Sequence, residues 1–250
     1  MRHAHPWPEH LLIKAEPGTL IWSRPLPDGG NAIVKLYRRR AFFEPLRRTF
    51  LPWRAEREYL LLSRLREHGV ACPEPLAWSH GSSREHGRFE CLESREIAGA
   101  APLKQLLALQ QPPDLRALFA LVRRMHAVGV AHGALFTRNI LVTSTAGPEP
   151  GYYLIDLAHG RAFDRDIADT RPADFDLLEL MASIARERPL DRAMDWLAAY
   201  GMDAGRSHVL LGRLTGRWGG RLRRKLRRIE IDARVILASL FGPRRKRRSV

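Results

Sequence analysis

The sequence predicts an α+β protein of two lobes, a small strand-rich lobe with one helix and a larger helical lobe. Short β-branched runs alternate with turn residues over the first hundred residues, and helical periodicity takes over after that. The chain has 250 residues, of which 45% are hydrophobic and 28% charged. These values are ordinary for a folded protein, so they exclude global disorder, collagen and a small disulfide scaffold.

The first half of the chain begins with a predicted hairpin. Strands over 19–24 and 31–37 flank the turn residues at 27–30, Pro-Asp-Gly-Gly. A helix is predicted over 53–68, where apolar residues recur on one face until Gly69 ends the pattern. The remaining predictions for this half are strands over 76–80 and 88–97 and a linker over 99–102.

The second half is mainly helical by its pattern. A helix is predicted over 114–128, with Asp114 as its N-cap and Gly129 after its end. Two short apolar runs, at 140–142 and 153–155, are separated by the segment AGPEPG, which predicts a hairpin with a loose tip. The other helices are predicted over 103–109, 174–187, 191–200 and 206–215.

The positive charge is concentrated at the C-terminus. Residues 206–250 carry 13 Arg and 2 Lys against 1 Glu and 1 Asp, which accounts for +13 of the net +15. A field of this sign attracts polyanions. Leucines and isoleucines recur among the arginines of 221–241, so this stretch is either an amphipathic helix on an anionic membrane surface or a final helix packed on the body. We expect the last residues, GPRRKRRSV, to be disordered.

Several classes of protein lack support in the sequence. The apolar runs are too short to span a bilayer, and the N-terminus has no apolar signal segment. We expect Cys72 and Cys91 to be buried thiols, because neither belongs to a metal-binding pair. His3, His5 and His10 have no ligand spacing. No helix-turn-helix, zinc or aromatic-basic pattern indicates nucleic-acid binding.

One strand carries a lysine in an apolar setting. Lys35 lies within the run AIVKLY, where it is either an edge charge or a buried cation that faces a cleft. The following helix offers a partner, because Glu58 lies beside the buried face and is in a position to pair with Lys35. Glu56, two residues earlier, is the competing candidate.

A magnesium site is predicted at the base of the second hairpin. Asn139 opens its first strand and Asp156 ends its second. Because the two ends of a hairpin are neighbours, an amide oxygen and a carboxylate can converge there. Mg²⁺ prefers hard oxygen ligands and takes only a few of them from protein.

Taken in order, these motifs resemble the lipopolysaccharide core sugar kinases, the Kdo and heptose kinase family with a protein-kinase-like fold. MHAVGVAHGALFTRNILV at 125–142 resembles the family's LHxxGxxHxDLxxxNILV, and IDLA at 155–158 resembles its DFG-like motif. VKLY at 34–37 resembles the strand lysine, and RAEREYLLLSRLREHGVACPEPLAW at 54–78 resembles the helix that follows it. The match spans roughly residues 15–185.

The resemblance implies a site for ATP and Mg²⁺. Lys35 would hold the α- and β-phosphates, Glu58 would orient Lys35, and Asn139 and Asp156 would hold the metal. His132 would brace the catalytic loop, and we expect Asp176 either to brace it too or simply to be a helix-start acid. No GxGxxG loop precedes Lys35, so the cover over the phosphates would be looser.

The implied organisation is a kinase-like N-lobe over 1–98, a C-lobe over 99–212, and a basic helix and tail over 213–250. The acceptor would be a sugar hydroxyl of the lipopolysaccharide inner core. We expect a cytoplasmic protein whose basic C-terminus meets the anionic inner face of the membrane, and we do not expect a nucleic-acid partner.

One departure from the family pattern bears on activity. The catalytic-loop Asp, which accepts the proton of the acceptor hydroxyl, is replaced by Ala134, and residues 131–142 contain no Asp or Glu. A positioned base contributes roughly 10²–10⁴ in rate. We therefore expect either an impaired kinase or a nucleotide-binding pseudokinase. Arg138 is interpreted as an exposed loop residue, and His159 and Arg161 are candidates for the acceptor side.

Overall fold

The structure is a computed structural model that describes residues 12–16, 18–38, 53–84, 86–109, 113–143 and 151–215. Its N-terminal part is an antiparallel sheet of the strands β1 Leu12–Glu16, β2 Thr19–Pro25, β3 Asn31–Arg38, β4 Pro75–Ser83 and β5 Gly87–Arg95. The order across the sheet is β1-β2-β3-β5-β4, so β3 lies at its centre. Helix α1, Arg54–Glu67, connects β3 to β4.

The two faces of strand β3 differ in chemical character. Its side chains alternate between the two faces of the sheet, as every strand requires. Val34 and Leu36 pack with Leu20 and Trp22 on one face, whereas Lys35 is on the other face, towards α1. Lys35 is paired with residues of both neighbouring strands, so its backbone is fixed from two sides.

The rest of the described chain is mainly helical. The helices are α2 Leu103–Leu107, α3 Arg116–Ala127, α4 Arg171–Ile184, α5 Ala193–Tyr200 and α6 Ala204–Thr215. The short strands between them are β6 Ala100–Pro102, β7 Val130–Ala131, β8 Ile140–Thr143, β9 Gly151–Leu154 and β10 Arg161–Ala162. They form a three-stranded sheet β6-β8-β9 and a pair β7-β10.

A single apolar core joins the two parts. Leu65 of α1, Phe119 of α3, Leu154 of β9, Leu180 of α4 and Trp196 of α5 are all buried members of one cluster. Burial of each such side chain stabilises the fold by about 1.5–3 kcal/mol. The core therefore fixes α1 against the elements that follow Gly129.

Most predicted elements are present within a few residues of their predicted ends, but some predictions were wrong. The linker predicted over 99–102 contains a strand, β6, which pairs with β8. The helix predicted to be capped by Asp114 begins at Arg116 with Leu115 at the cap position. The Asp114 side chain still accepts a hydrogen bond from the backbone N–H of Arg116, at 3.1 Å. Strand β1 was not predicted, because all five of its side chains are exposed and its sequence shows no buried face.

Several predictions concern residues outside the described part of the chain. These are the N-terminal histidines, the tip of the second hairpin over 144–150, and the basic segment from residue 216 onwards. The division of the chain at residues 98 and 212 stays a prediction. Within the described residues, no helix is both long and apolar enough to cross a bilayer.

Candidate active site

The buried ion pair at the centre of the site joins the sheet to α1. The Nζ of Lys35 lies 2.8 Å from Oε1 of Glu58, and both side chains are largely buried. Burial acts to lower the pKa of Lys35, but the carboxylates of Glu58 and Asp156 outweigh it and raise that pKa above its ordinary value. The lysine is therefore a permanent cation. Glu56, the competing partner, instead accepts a hydrogen bond from the backbone N–H of Trp53, at 3.3 Å.

The second oxygen of Glu58 has a donor that the sequence analysis missed. The hydroxyl of Tyr37 donates to Oε2 of Glu58 at 2.6 Å, within the buried interior. Burial and the neighbouring carboxylate raise the pKa of Tyr37 well above its usual value, so the hydroxyl keeps its proton. Tyr37 lies two residues after Lys35 on the same strand, and that spacing was the available signal.

Asp156 approaches the same lysine from the other side. It follows β9 and has φ 64°, the left-handed conformation, which is uncommon for a residue other than glycine. Its Oδ1 lies 3.8 Å from Nζ of Lys35. Burial raises the pKa of this carboxyl, but the cationic Lys35, with weaker help from His132, His159 and Arg138, lowers it below its ordinary value. Asp156 is thus an ionised carboxylate held beside the lysine.

Asn139 lies at the start of β8, next to the segment that carries Asp156. The backbone N–H of Ile155 donates to the carbonyl of Asn139 at 3.0 Å, which ties the two segments together. The side-chain amide of Asn139 is buried, and its Nδ2 donates to the carbonyl of Ala134 at 2.9 Å. This orientation makes Oδ1 available as an acceptor or ligand. An amide oxygen and a carboxylate fit Mg²⁺ as a donor set.

The loop between β7 and β8 is braced from α4. The two carboxylate oxygens of Asp176 accept the backbone N–H groups of His132 and Gly133 at 2.6 and 2.8 Å. Nε2 of His126 lies 3.2 Å from the same carboxylate. The contribution of His126 was missed, because nothing in the sequence distinguishes a buried polar residue from others on a helix.

His132 links this loop to the Asp156 segment. Its ring is fully buried, and Nε2 donates to the carbonyl of Ile155 at 3.0 Å. Burial lowers the pKa of His132 below its ordinary value, since a charged imidazole is costly away from water. His132 is therefore a neutral donor that holds the residue before Asp156.

The position expected for a general base is apolar. Ala134 is buried, and its carbonyl accepts hydrogen bonds from the amide of Asn139 and the backbone N–H of Phe136. The loop keeps its shape without a carboxylate, because those hydrogen bonds involve only the backbone of Ala134. The described part of the chain also holds no cluster of three or more His, Cys, Asp or Glu side chains suited to a metal.

Two further candidates lie on this loop or beside it. Arg138 is exposed, with its guanidinium 4.7 Å from the centre of the Phe136 ring. His159 is exposed on the 3₁₀ turn Leu157–His159 that follows Asp156.

Asp174 pairs with Arg206 at 2.6 Å on the outer side of α4 and is structural. Of the two thiols predicted to be buried, Cys72 is buried, whereas Cys91 is half-buried. Burial raises the pKa of Cys72 to about 12 and that of Cys91 to about 11, so both thiols are poor nucleophiles.

A clamp between α1 and the Asp156 segment was also missed. The guanidinium of Arg57 donates to the carbonyl of Ala158, and Arg64 donates to the carbonyl of Phe163 at 2.8 Å. These residues are separated from their acceptors by about a hundred positions in sequence, so no local pattern could have found them. The clamp fixes the distance between Glu58 and Asp156.

Comparisons with solved structures concern the fold that carries this site. The solved structure of WaaP in complex with acyl carrier protein is similar at TM-score 0.58 with 19% identity, covering 90% of this chain and 88% of the other. The Rio2 kinase–ADP/Mg²⁺–phosphoaspartate complex from Chaetomium thermophilum is similar at TM-score 0.51 with 19% identity, covering 90% and 70%. At this identity the likeness concerns the fold, which is confirmed as protein-kinase-like.

The sequence comparisons identify the family. The curated 3-deoxy-D-manno-octulosonic acid kinase of Actinobacillus succinogenes is 32% identical over 129 residues. That match spans 51% of this chain and 52% of the relative, about half the length of each. The model of the lipopolysaccharide kinase (Kdo/WaaP) family matches residues 22–200, which is most of the chain. The chain therefore belongs to the lipopolysaccharide kinase (Kdo/WaaP) family.

Proposed function

We propose that this protein transfers the γ-phosphate of ATP, with Mg²⁺, to a sugar hydroxyl of the lipopolysaccharide inner core. The observation that carries the proposal is the convergence of Glu58 and Asp156 on Lys35, at 2.8 and 3.8 Å. Family membership and a relative described as a 3-deoxy-D-manno-octulosonic acid kinase support the acceptor class. Phosphoryl transfer depends mainly on positioning and on neutralising charge, and these are the functions that such a cluster serves.

Each residue has a role in this proposal. Lys35 binds the α- and β-phosphates, and Glu58 keeps the ammonium in place. Asn139 and Asp156 hold Mg²⁺, which when bound neutralises charge on the phosphates. His132 and Asp176 position the loop that carries Asn139, through the hydrogen bonds to Ile155 and to the backbone of the loop.

Ala134 makes the proposed enzyme slow. Loss of a positioned base costs roughly 10²–10⁴ in rate, but the charge-neutralising groups remain. The same residue favours a second candidate, a pseudokinase that binds nucleotide and regulates or scaffolds envelope glycolipid assembly. In both cases the nucleotide site is the same and only turnover differs.

The test is incubation of the full chain with ATP, Mg²⁺ and dephosphorylated inner-core oligosaccharide, followed by mass spectrometry of the sugar. The kinase proposal predicts a gain of one phosphate, abolished in Asp156→Ala. We also expect Ala134→Asp to raise the rate by at least tenfold, because it restores a carboxylate to the loop. No phosphate gain in either the wild-type protein or Ala134→Asp, with Mg-ATP still bound, would favour the pseudokinase.

We further propose that the protein works at an anionic membrane surface, through its basic C-terminus. The support is the concentration of +13 of the net charge in residues 206–250. Clusters of Lys and Arg are attracted to anionic lipid by about 1 kcal/mol per residue near the surface. A glycolipid acceptor would be presented at such a surface.

A further inference from the structure

Arg138 is the exposed residue of the loop between β7 and β8. Within residues 132–139, every other residue is buried or half-buried. The two neighbours of Arg138, Thr137 and Asn139, are both buried, so their side chains turn inward while that of Arg138 turns outward. The loop therefore presents one cation to solvent, directly beside the proposed metal ligand Asn139.

The backbone on both sides of Arg138 is held in place. The N–H of Thr137 donates to Oγ of Ser183 on α4 at 3.0 Å, and the N–H of Asn139 donates to the carbonyl of Phe136 at 2.8 Å. The guanidinium lies 4.7 Å from the centre of the Phe136 ring, a cation–π contact that orders the side chain. A side chain that is already ordered loses less entropy when it binds a ligand.

The guanidinium of Arg138 pairs with no carboxylate of the described residues. It is close enough to Asp156 to help lower the pKa of that carboxyl, but the two groups do not form an ion pair. Two other cations of the site have partners, because Lys35 pairs with Glu58 and Arg57 donates to a backbone carbonyl. The planar fork of an arginine binds two oxygens of a carboxylate or phosphate at once, so Arg138 is suited to bind an oxyanion.

We propose that Arg138 binds an oxyanion of the acceptor, a carboxylate or a phosphate carried by the sugar, and so selects anionic acceptors. This inference rests on the proposed function, because it takes the bound molecule to be the one that receives the phosphate. It goes beyond that function by assigning a residue to acceptor recognition.

The position of Arg138 favours the acceptor over the nucleotide. In the proposed function the phosphates of ATP lie against Lys35, whose side chain is only 12% exposed and faces Glu58 and Asp156. Arg138 is instead on the solvent-facing side of the loop that carries Asn139. The acceptor comes from solvent to the γ-phosphate, so the exposed cation beside the metal ligands meets the acceptor and not the α- and β-phosphates.

The experiment measures the affinity of the full chain for oligosaccharide by calorimetric titration, with Mg-ADP present so that no transfer occurs. Three forms of the inner-core oligosaccharide are compared. The first is dephosphorylated and has free carboxylates, the second is the same molecule with its carboxyl groups methyl-esterified, and the third is esterified but keeps its phosphates.

The variants separate the charge of Arg138 from its packing. Arg138→Met removes the fork and keeps an apolar stem against Phe136, whereas Arg138→Lys keeps the charge and loses the fork. Arg88→Met is the matched control, because Arg88 is an exposed arginine on β5 and its loss changes the net charge equally.

Arg138→Met should weaken binding of at least one anionic form by about 10- to 100-fold, the effect of losing a hydrogen-bonded partner of a charged group. A loss on the first form identifies a carboxylate, and a loss on the third form identifies a phosphate. The second, neutral form should bind the wild-type protein and Arg138→Met equally. Arg138→Lys should lie between them, and affinity for Mg-ATP should be nearly unchanged in all variants.

Equal affinities of the wild-type protein and Arg138→Met for all three forms would overturn the proposal, as would a wild-type protein that binds none of them. An equal loss on the neutral form would assign Arg138 to packing, and a loss of about tenfold in affinity for Mg-ATP would assign it to the nucleotide. Either result contradicts acceptor recognition. If Arg88→Met matched Arg138→Met, the effect would be one of net charge and the proposal would fail.

The binding measurement separates this inference from the proposed function. A protein that binds an anionic form through Arg138 but transfers no phosphate from Mg-ATP overturns the kinase activity and leaves the recognition by Arg138 standing. A protein that transfers phosphate with the same KM for the acceptor in Arg138→Met overturns the inference and leaves the proposed function standing.

Discussion

At the scale of single residues, the hydrogen bond from Tyr37 to Glu58 is the contact that most directly supports the lysine. Glu58 is a buried carboxylate with one oxygen on Lys35 and the other on this hydroxyl. Without the hydroxyl, Oε2 would be left buried with no donor. The carboxylate of Glu58 would then be held only by Lys35 and would be free to rotate.

Tyr37→Phe should therefore lower the free energy of unfolding by about 1–3 kcal/mol, the cost of a buried acceptor without its donor. Urea denaturation measures this change. The matched control is Tyr153→Phe on β9, where the tyrosine is half-buried and its hydroxyl bonds no described residue. Equal effects of the two substitutions would contradict the account of Tyr37.

A second prediction at this scale concerns His132 and pH. Burial lowers the pKa of His132 in the folded protein below its ordinary value of 6.5. Between the folded pKa and 6.5, the unfolded chain binds more protons than the folded one, so stability falls as the pH drops through this window. Asp156, whose pKa is also lowered, adds acid instability only below about 3.8.

We expect the free energy of unfolding to decrease between pH 7.5 and pH 5, and His132→Gln to remove part of that decrease. Denaturant titrations at four or five pH values would measure both slopes. A stability that stays constant or increases over this interval would show that His132 is not held neutral in the folded protein.

The charged residues of the site could be predicted from the sequence, but the residues that hydrogen-bond to them or hold their segments in place could not. Lys35 stood out as a charge inside an apolar strand, and helical spacing in α1 left two candidate partners, Glu58 and Glu56. The hydroxyl of Tyr37 could not be assigned, because its partner depends on how α1 packs on the sheet. The same holds for Arg57, whose acceptor on Ala158 is brought near only by the tertiary fold.

At the scale of elements, the contact between the loop at Gly133 and the turn at His159 sets the geometry of the site. A side chain at Gly133 has no space, because its Cβ would meet the backbone of His159. Gly99 provides a comparison, since its φ of +67° is almost the same and nothing lies within 4 Å of an added Cβ.

Gly99→Ala should cost only the left-handed strain, about 1–2 kcal/mol. Gly133→Ala carries the same strain and also an overlap with backbone, so we expect a larger loss of stability and at least a tenfold weaker affinity for Mg-ATP. Thermal unfolding and calorimetric titration measure the two effects. If both alanine variants behave alike, the loop and the turn are not in contact as described.

Elements that depend on pairing rather than on their own pattern were the ones that sequence reasoning missed. The segment Ala100–Pro102 has no alternation and contains a proline, and it forms a strand because β8 lies beside it. Strand β1 is similar, since it pairs with β2 while exposing every side chain. The hairpin of β8 and β9 could be predicted, because its strands are apolar and close in sequence.

At the scale of the whole molecule, the charge distribution separates a nearly neutral body from a strongly basic C-terminus. We expect the full chain to bind vesicles that contain anionic phospholipid and not vesicles of neutral phospholipid. Replacing the basic run at 244–248 by glutamines should weaken binding by at least 10²-fold, because each positive charge contributes about 1 kcal/mol near the surface.

Vesicle sedimentation measures this binding. The control is 0.5 M salt, which shortens the Debye length to about 4 Å and should therefore abolish the electrostatic attraction to the vesicles. Equal binding to neutral and anionic vesicles would contradict the proposed membrane role. Binding that is lost only when duplex nucleic acid is added in excess would instead point to a nucleic-acid partner.

The central claim is that Lys35 and Asp156 form one nucleotide site, and Mg²⁺-dependent thermal stabilisation by ATP tests it most directly. At a hundredfold excess over Kd, ligand binding adds about 2.7 kcal/mol, or roughly 5–10 °C in Tm for a chain of this size. The account predicts this increase for the wild-type protein and for the surface control Asp195→Asn. It predicts no increase with EDTA present or in Asp156→Asn. An equal increase in Asp156→Asn, or none in the wild-type protein, would contradict the account.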